Sequence, residues 1–493
     1  MNILIVGNGF DLSHYLPTKY DHFMDVMEAI ENKNTGGKAP NLTIHTVQEW
    51  MDILDDMFLK NKNPDSFKFD MSFNELFLKI RDIKFIDKTK EYYLVDKINL
   101  SAKDVLKIQY RLELNCWYQY FKDHVREVKT WIDFENKIDE ALRVVARFIE
   151  NIEEKIEKVG SFSPEVYFSG DSNEWQIFLT RENCNILEKL GILESGYFID
   201  EIDNDESGHT YTNIHKVNDS DIGDFRFYIK DENIQFLLGY KKFNSDTLIN
   251  NLVKNLEEFI EIFNLYLELI VNKINSNNNI QISSDDWINP DKIYSFNYTN
   301  TYQRIYNSIE VDYLHGNHGD FQNIVLGISQ LEDESLKKLK AYGFTKYHQK
   351  LFKDTHYLFL DEYKKKLKDT LEKYKKHKSH NYPNNQIEQE REEHFLKIMK
   401  LDLNFNIWGH SLDVSDKDYI LDLFSLNDDI DRNVRVGVYY FDKLAKFSLL
   451  NNLLAILGKD KVEQWMKNGW LQFKLNPEIN FQIKERVALE ELS

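Results

Sequence analysis

Asn8, Asn297, His315 and His410 each stand directly after a short apolar run, where a buried parallel strand would end. The runs are Ile3–Val6, Ile293–Phe296 and the segments around Tyr313 and Ile407. The polar clusters behind them are Gly7-Asn8-Gly9, Asn297-Tyr298-Thr299, His315-Gly316-Asn317 and Gly409-His410-Ser411, with Asp413 just beyond. In an open parallel sheet ligands bind past the carboxyl ends of the strands, so these side chains are expected at one edge. Gly7-x-Gly9 marks a tight strand-to-helix turn, which lets backbone approach a ligand and presents free N–H groups to a phosphate. The chemistry this implies is nucleotide binding. The fingerprint is incomplete, because Leu12 stands where GxGxxG has its third glycine.

Each residue also has a local, non-functional reading. Asp11 suits a helix cap or first-turn acid interacting with the macrodipole. Thr18, after Pro17, suits the cap of a second helix. Asn297 suits an Asx turn ending a strand, His315 a hydrogen-bonded core imidazole, and His410 a helix start. Asp133 and Glu135 open a long helical pattern and read as first-turn acids.

The elements that must position these residues fall into two groups. Asn2–Val6 is one strand candidate; Lys292–Phe296, Val311–Leu314, Ile324–Leu326, Phe405–Trp408 and Val434–Phe441 form a late set. Between them the pattern is helical: Trp131–Ile156 and Ser245–Ile274 repeat apolar residues at spacings of three and four. Asp224–Ile229 and Ile234–Leu238 are expected to pair as a hairpin. Residues 275–284 and 379–392 read as loops. The expected fold is α/β, with a Rossmann-like parallel sheet built from both chain ends, residues 1–30 and 285–450. Residues 31–284 form a large helical insertion, 330–400 a smaller one, and 451–493 a C-terminal helical segment.

Composition narrows the classes. The chain has 493 residues with 14% aromatics and little Gly or Pro, as in a folded globular protein. A net charge of -20 disfavours passive binding to nucleic acid or an anionic membrane. Cys116 and Cys184 are the only cysteines; they make no disulfide framework and no CxxC zinc motif, so a reducing cytoplasmic setting fits best. The most apolar helix candidate, Phe259–Val271, is broken by Glu261 and Glu268, and no signal peptide is visible.

In order along the chain, GNGFD (7–11), LPTKY (16–20), WIDFE (131–135), FNYT (296–299), LHG (314–316) and WGHSLDVSD (408–416) resemble the AbiH family of bacteriophage abortive-infection proteins. The resemblance covers roughly residues 1–450 and implies a bacterial, cytoplasmic phage-defence protein whose activation harms the infected cell. A more distant similarity links Gly7–Gly9, Asn297–Tyr298, His315–Gly316 and Gly409 to sirtuin-like defence domains, which cleave the nicotinamide–ribose bond of NAD. That similarity implies NAD as substrate, Asn297 holding the ribose and attacking water, and His315 as base or orienter. Asp11 would stabilise the oxocarbenium-like transition state. Gly7, Asn8, Gly9, Phe10, Tyr298, Thr299, Gly316, Gly409, His410, Ser411 and Asp413 would bind the nucleotide. Two departures matter. Phe10 and Asp11 follow Gly9 where sirtuins have GAGxS, so the acid either repels a phosphate or binds a ribose hydroxyl. The zinc cysteines of sirtuin deacetylases are absent, and no metal is expected.

Three other readings compete. His315-Gly316-Asn317-His318-Gly319-Asp320 and Gly409-His410 resemble parts of a metal-dependent phosphoesterase site, but the early DxH and middle GDxxD are missing. A nucleotide sensor without turnover is the second reading. The third is a nucleic-acid-directed toxin using the basic Tyr363–Lys378 helix, whose ordinary role is a solvated face. The helical insertion suits sensing a phage product or self-association.

Overall fold

The computed structural model describes the chain apart from residues 37–46, 61–67, 125–130, 168–178, 196, 205–209, 217–225, 238–239, 276–278, 284–286, 307, 356–357, 379–384, 429 and 483–493. Its centre is a six-stranded parallel sheet. The strands are β1 (Asn2–Val6), β2 (Lys292–Ser295), β3 (Val311–Tyr313), β4 (Leu403–Trp408), β5 (Val434–Tyr440) and β6 (Leu471–Leu475). They lie in the order β3-β2-β1-β4-β5-β6. β1 is central, with Leu4 opposite Ile293 on one side and Asn406 on the other.

The central strand β1 is apolar from Ile3 to Val6 because both faces of the sheet are covered there, whereas β4 alternates with Asn404 and Asn406 and the edge strand β6 carries Gln472 and Lys474. Ile3, Ile5, Phe405, Ile407, Val436 and Val438 pack into one face. Leu4, Val6, Ile293, Trp408 and Tyr439 pack into the other, as the period of two demands. Between β1 and β2 the chain is mostly helical. Helices Tyr20–Glu31, Ala102–Leu114, Trp131–Val159 and Ser245–Leu269 enclose a larger apolar core around Phe23, Trp117, Phe134, Phe259 and Tyr266. Among the described residues no helix is long and apolar enough to cross a membrane.

Several expectations need correction. Ile324–Leu326 is no strand: all three residues are buried, and the Gln349 side chain takes the place of a neighbouring strand. It donates to the Leu326 carbonyl at 3.0 Å and accepts from the Leu326 N–H at 2.9 Å. Ile234–Leu237 pairs with Tyr240–Phe243, whereas Arg226–Ile229 pairs with Glu165–Tyr167 and Leu193–Ser195, so the expected hairpin does not form. Residues 224–225 and 238 of that expectation lie outside the described residues. Asn279–Ser283, expected as loop, pairs with Glu478–Gln482. Asn385–Ile398 is helical, with Phe395 stacked on Tyr374 at 3.8 Å. Within the stretch expected to be a helical C-terminal segment, Leu471–Leu475 forms the sixth sheet strand.

The turns after β1 and β4 meet backbone to backbone. The Gly7 N–H donates to the Trp408 carbonyl at 3.1 Å and the Gly9 N–H to the Gly409 carbonyl at 2.8 Å. A Cβ on Gly7 would stand 2.5 Å from His410 Cα, and one on Gly9 2.7 Å from Gly409 Cα. Gly409 itself has φ +74°, and a Cβ there would overlap the Phe10 nitrogen. The glycines thus serve contact between two turns, not only approach to a ligand. Gly409→Ala should destabilise the protein by about 2–4 kcal/mol, through overpacking and an unfavourable φ together. A depressed Tm in thermal denaturation checks this; an unchanged Tm would show that the turns can separate without cost.

Candidate functional site

The carboxyl ends of the strands surround a cavity of about 700 Å³. Gly7, Asn8, Gly9 and Asp11 come from the turn after β1, and Asn297, Tyr298 and Thr299 from the end of β2. His315 follows β3, while Gly409, His410, Ser411 and Asp416 follow β4. The insertion contributes Trp131 and Glu135 from its long helix, and Lys346 comes from the start of helix Lys346–Phe352. The convergence of Asn8, Asn297, His315 and His410 is thus present.

Asp11 and Asn297 sit together in the cavity wall. Thr299 Oγ1 donates to Asp11 Oδ2 at 2.5 Å, and Thr301 Oγ1 donates to Thr299 Oγ1 at 3.1 Å. Asp11 Oδ1 is buried without a hydrogen bond, and so are both amide atoms of Asn297. The Asn297 backbone is held by the Ser295 hydroxyl, which accepts from the Asn297 N–H and donates to its carbonyl, both at 3.1 Å. Its side chain therefore closes no Asx turn. Burial lifts the Asp11 carboxyl to about 6, against the lowering effect of the Thr299 and Thr301 hydroxyls, Arg304 and the neighbouring Asn297 amide. Asp11 does not cap its short helix, where Gly7 holds that position, but it is the acid of the first turn, as the sequence allowed.

A second cluster lies across the crevice. Asp416 Oδ1 is 3.0 Å from His315 Nε2 and 3.6 Å from Lys346 Nζ, while Asp416 Oδ2 is 3.3 Å from His410 Nε2. The Leu412 N–H donates to His410 Nδ1 at 2.9 Å, so the His410 proton resides on Nε2, facing Asp416. The Phe296 ring lies between the two imidazoles, with centroids at 5.1 Å from His315 and 4.1 Å from His410. Lys346 also bonds Glu135 Oε1 at 2.8 Å, leaving Glu135 Oε2 buried and unpartnered.

The electrostatics separate these groups by role. Burial pushes His315 down to about 3, outweighing the attraction of Asp416, so it is neutral and weakly basic near pH 7. Burial opposes ionisation of Asp416, but Lys346 and His315 overcome it and hold the carboxyl well below its usual range. Lys346 is raised to about 12, because Asp416 and Glu135 outweigh its desolvation. Glu135 is lifted by burial to about 7, despite Lys346. Two carboxyl groups facing one cavity thus titrate near neutrality, as proton-transfer chemistry requires.

Other expected residues take structural places. Phe10 is buried among His14, Tyr302 and Trp408 and does not line the cavity. Gly316 has φ +79° and packs against Asn323. Asp413 caps the Val414–Asp416 turn by accepting from the Ser415 N–H at 2.9 Å. Thr18 caps no helix; its hydroxyl donates to Asn8 Oδ1 at 2.7 Å, and Lys19 is the cap residue of Tyr20–Glu31. In the HGNHGD segment only His315 reaches the cavity, while His318 pairs with Glu268. Among the described residues no three His, Cys, Asp or Glu side chains converge as metal ligands. The Asp361–Lys378 helix supplies no cavity residue; Tyr363 and Leu367 pack on the sheet core and Lys364 pairs with Asp422 at 2.5 Å.

Sequence reasoning passed over Lys346 and Asp416 and gave Glu135 only a helix-end role. WIDFE and WGHSLDVSD contain two of the three, yet nothing local marks Lys346 as their partner. Lys346→Met should cost about 3–5 kcal/mol, since it removes the ammonium that bonds Glu135 and lies 3.6 Å from Asp416, leaving only Lys350 as a neighbouring lysine. The folded-state pKa of Glu135 already exceeds its usual 4.5 and would rise further in the variant. Ionising Glu135 is then more costly as pH rises, so the deficit should be larger at high pH than at low pH. Denaturation of both proteins across the neutral range measures it; a pH-independent deficit would remove Glu135 from the account.

A family profile described as bacteriophage abortive infection AbiH matches residues 3–440. No curated protein and no solved structure matches the chain. The matched span runs from β1 to the end of β5 and holds both glycine turns, Asn297, His315 and the Glu135–Lys346–Asp416 cluster. On that breadth of agreement, this chain belongs to the AbiH family of bacteriophage abortive-infection proteins.

Proposed function

We propose that the six-stranded sheet is a Rossmann-like nucleotide-binding core, and that this phage-defence protein hydrolyses NAD at its nicotinamide–ribose bond during infection. One observation carries most of this reading: the unpartnered Asn297 amide lines a cavity set where the strand order reverses, between β1 and β4. That crevice is the usual ligand position in open parallel sheets. A volume of about 700 Å³ is within the range that holds cofactor-sized ligands.

The roles follow from the geometry. The Asn297 amide, beside the Asp11 carboxyl and without an ideal hydrogen bond of its own, offers a donor and an acceptor to ribose hydroxyls. Asp11, held by Thr299, presents a free carboxylate oxygen to the positive charge that develops on the ribose. His315 and His410, fixed on Asp416, shape the wall beside Phe296. Trp131 and Phe263 supply flat apolar surface for a heterocycle.

The Asn297 amide faces the Asp11 carboxyl and joins no two elements of the fold, so Asn297→Ala should leave stability within about 1 kcal/mol while abolishing protection. Mass spectrometry of cellular NAD during infection is the test. Collapse of NAD with the wild type and not with Asn297→Ala is the expected result. Unchanged NAD in a wild-type strain that remains protected would overturn the hydrolase reading.

A further inference from the structure

We infer that Glu135, carried into the cavity by the helical insertion, is the proton acceptor for the attacking water, with Lys346 as its positioning residue. The inference rests on the NAD-hydrolysis reading above and adds the group which that reading lacks. The neutral loss of nicotinamide needs no acid. The C1′–N bond breaks with its electron pair passing to the pyridine nitrogen, cancelling the positive charge there. The water oxygen forms the new C1′–O bond, and its proton passes to Glu135 Oε2 and then to solvent. A base near the cavity is therefore the missing part.

Glu135 meets the geometric requirements. It is 7% exposed, lines the same cavity as Asn297, and has one oxygen committed to Lys346 and one without any partner. An ammonium ion on one oxygen fixes the carboxylate and leaves the other in acceptor form. The alternatives are weaker bases. His315 is neutral with a strongly depressed proton affinity. Asp416 is held ionised by two imidazoles and Lys346. Asp11 belongs to the Thr299–Thr301 hydroxyl network beneath Asn297, the place for stabilising the ribose cation.

The charged and titratable groups facing Glu135 are Lys346 and Lys350 from the 346–352 helix, Asp416 and Asp413 from the segment after β4, and Tyr298 after β2. Their balance with burial leaves Glu135 near 7, so turnover should rise with pH through that value. Glu135 comes from the insertion and Asn297 from the sheet, so the site is complete only when the long helix is seated against the strand ends.

Glu135→Gln is the test, because the amide oxygen can still accept from Lys346. NAD turnover is measured in lysates of phage-infected cells across the neutral pH range, and NAD binding by calorimetry on purified protein. Turnover is expected to fall roughly 10²–10⁴-fold with binding unchanged. Added formate should restore part of the rate in Glu135→Ala, as a small carboxylate standing in for the missing side chain; a merely structural residue would not respond. In Asp11→Asn the rate should fall while the pH limb near 7 remains. Wild-type rates in Glu135→Gln, or loss of NAD binding in that variant, would overturn the role of Glu135 and leave NAD hydrolysis standing. No NAD turnover by the wild type would overturn both.

Discussion

The Gly9 N–H and the Gly409 carbonyl lie at opposite ends of the chain, yet they are 2.8 Å apart. The two turns can meet this closely because neither carries a side chain at the contact, and Gly409 adopts a backbone conformation that L residues rarely take. The contact adds to the β1–β4 pairing already present in the sheet and extends it past the strand ends. It sets the width of the crevice. Asn8 and Asp11 are fixed on one lip and His410 and Asp416 on the other, and the cavity lies between them.

The second constraint is electrostatic. Asp416 and Glu135 are both buried, and a pair of isolated carboxylates would be expensive to desolvate. Lys346 lies between them and bonds the one while attracting the other. The cluster joins three parts of the chain: the long insertion helix, the segment after β3 and the turn after β4. Such an ion cluster contributes little net stability, but it specifies one arrangement, because removing any member leaves a charge unpaired. Its consequence is unequal proton affinity, with Asp416 locked as an anion and Glu135 poised near 7. Separation of that kind is how one cavity obtains both a fixed charge and a titrating group.

The apolar strands, the glycine turns and the polar residues after each strand were legible in the chain itself. A strand buried on both faces tends to read as an apolar run, as β1 does from Ile3 to Val6, and polar residues then mark its end. The order of short motifs placed the chain in its family, since most of them are strand ends or turns with strict backbone demands, while WIDFE opens the long helix Trp131–Val159. Helices with a clear apolar stripe, such as Trp131–Val159, were equally readable.

What lay beyond the sequence was decided by contacts between distant segments. Ile324–Leu326 has the composition of a strand, but the Gln349 amide satisfies the Leu326 backbone, Gln322, His315, Tyr298 and Lys353 satisfy the rest, and no sheet forms. Glu135 reads as an ordinary acid near a helix start, just beyond the first-turn acid Asp133, and only the arrival of Lys346 and Asp416 makes it a buried, titrating group. Asp413 and Asp416 lie in one motif, yet one caps a turn and the other anchors two imidazoles. Sequence by itself determined which segments could be strands, turns and helices, because those are set by local sterics and by the period of burial. Only the tertiary structure decided which polar side chains share a cavity and at what proton affinity, because burial and charge pairing depend on neighbours that the chain order does not place together.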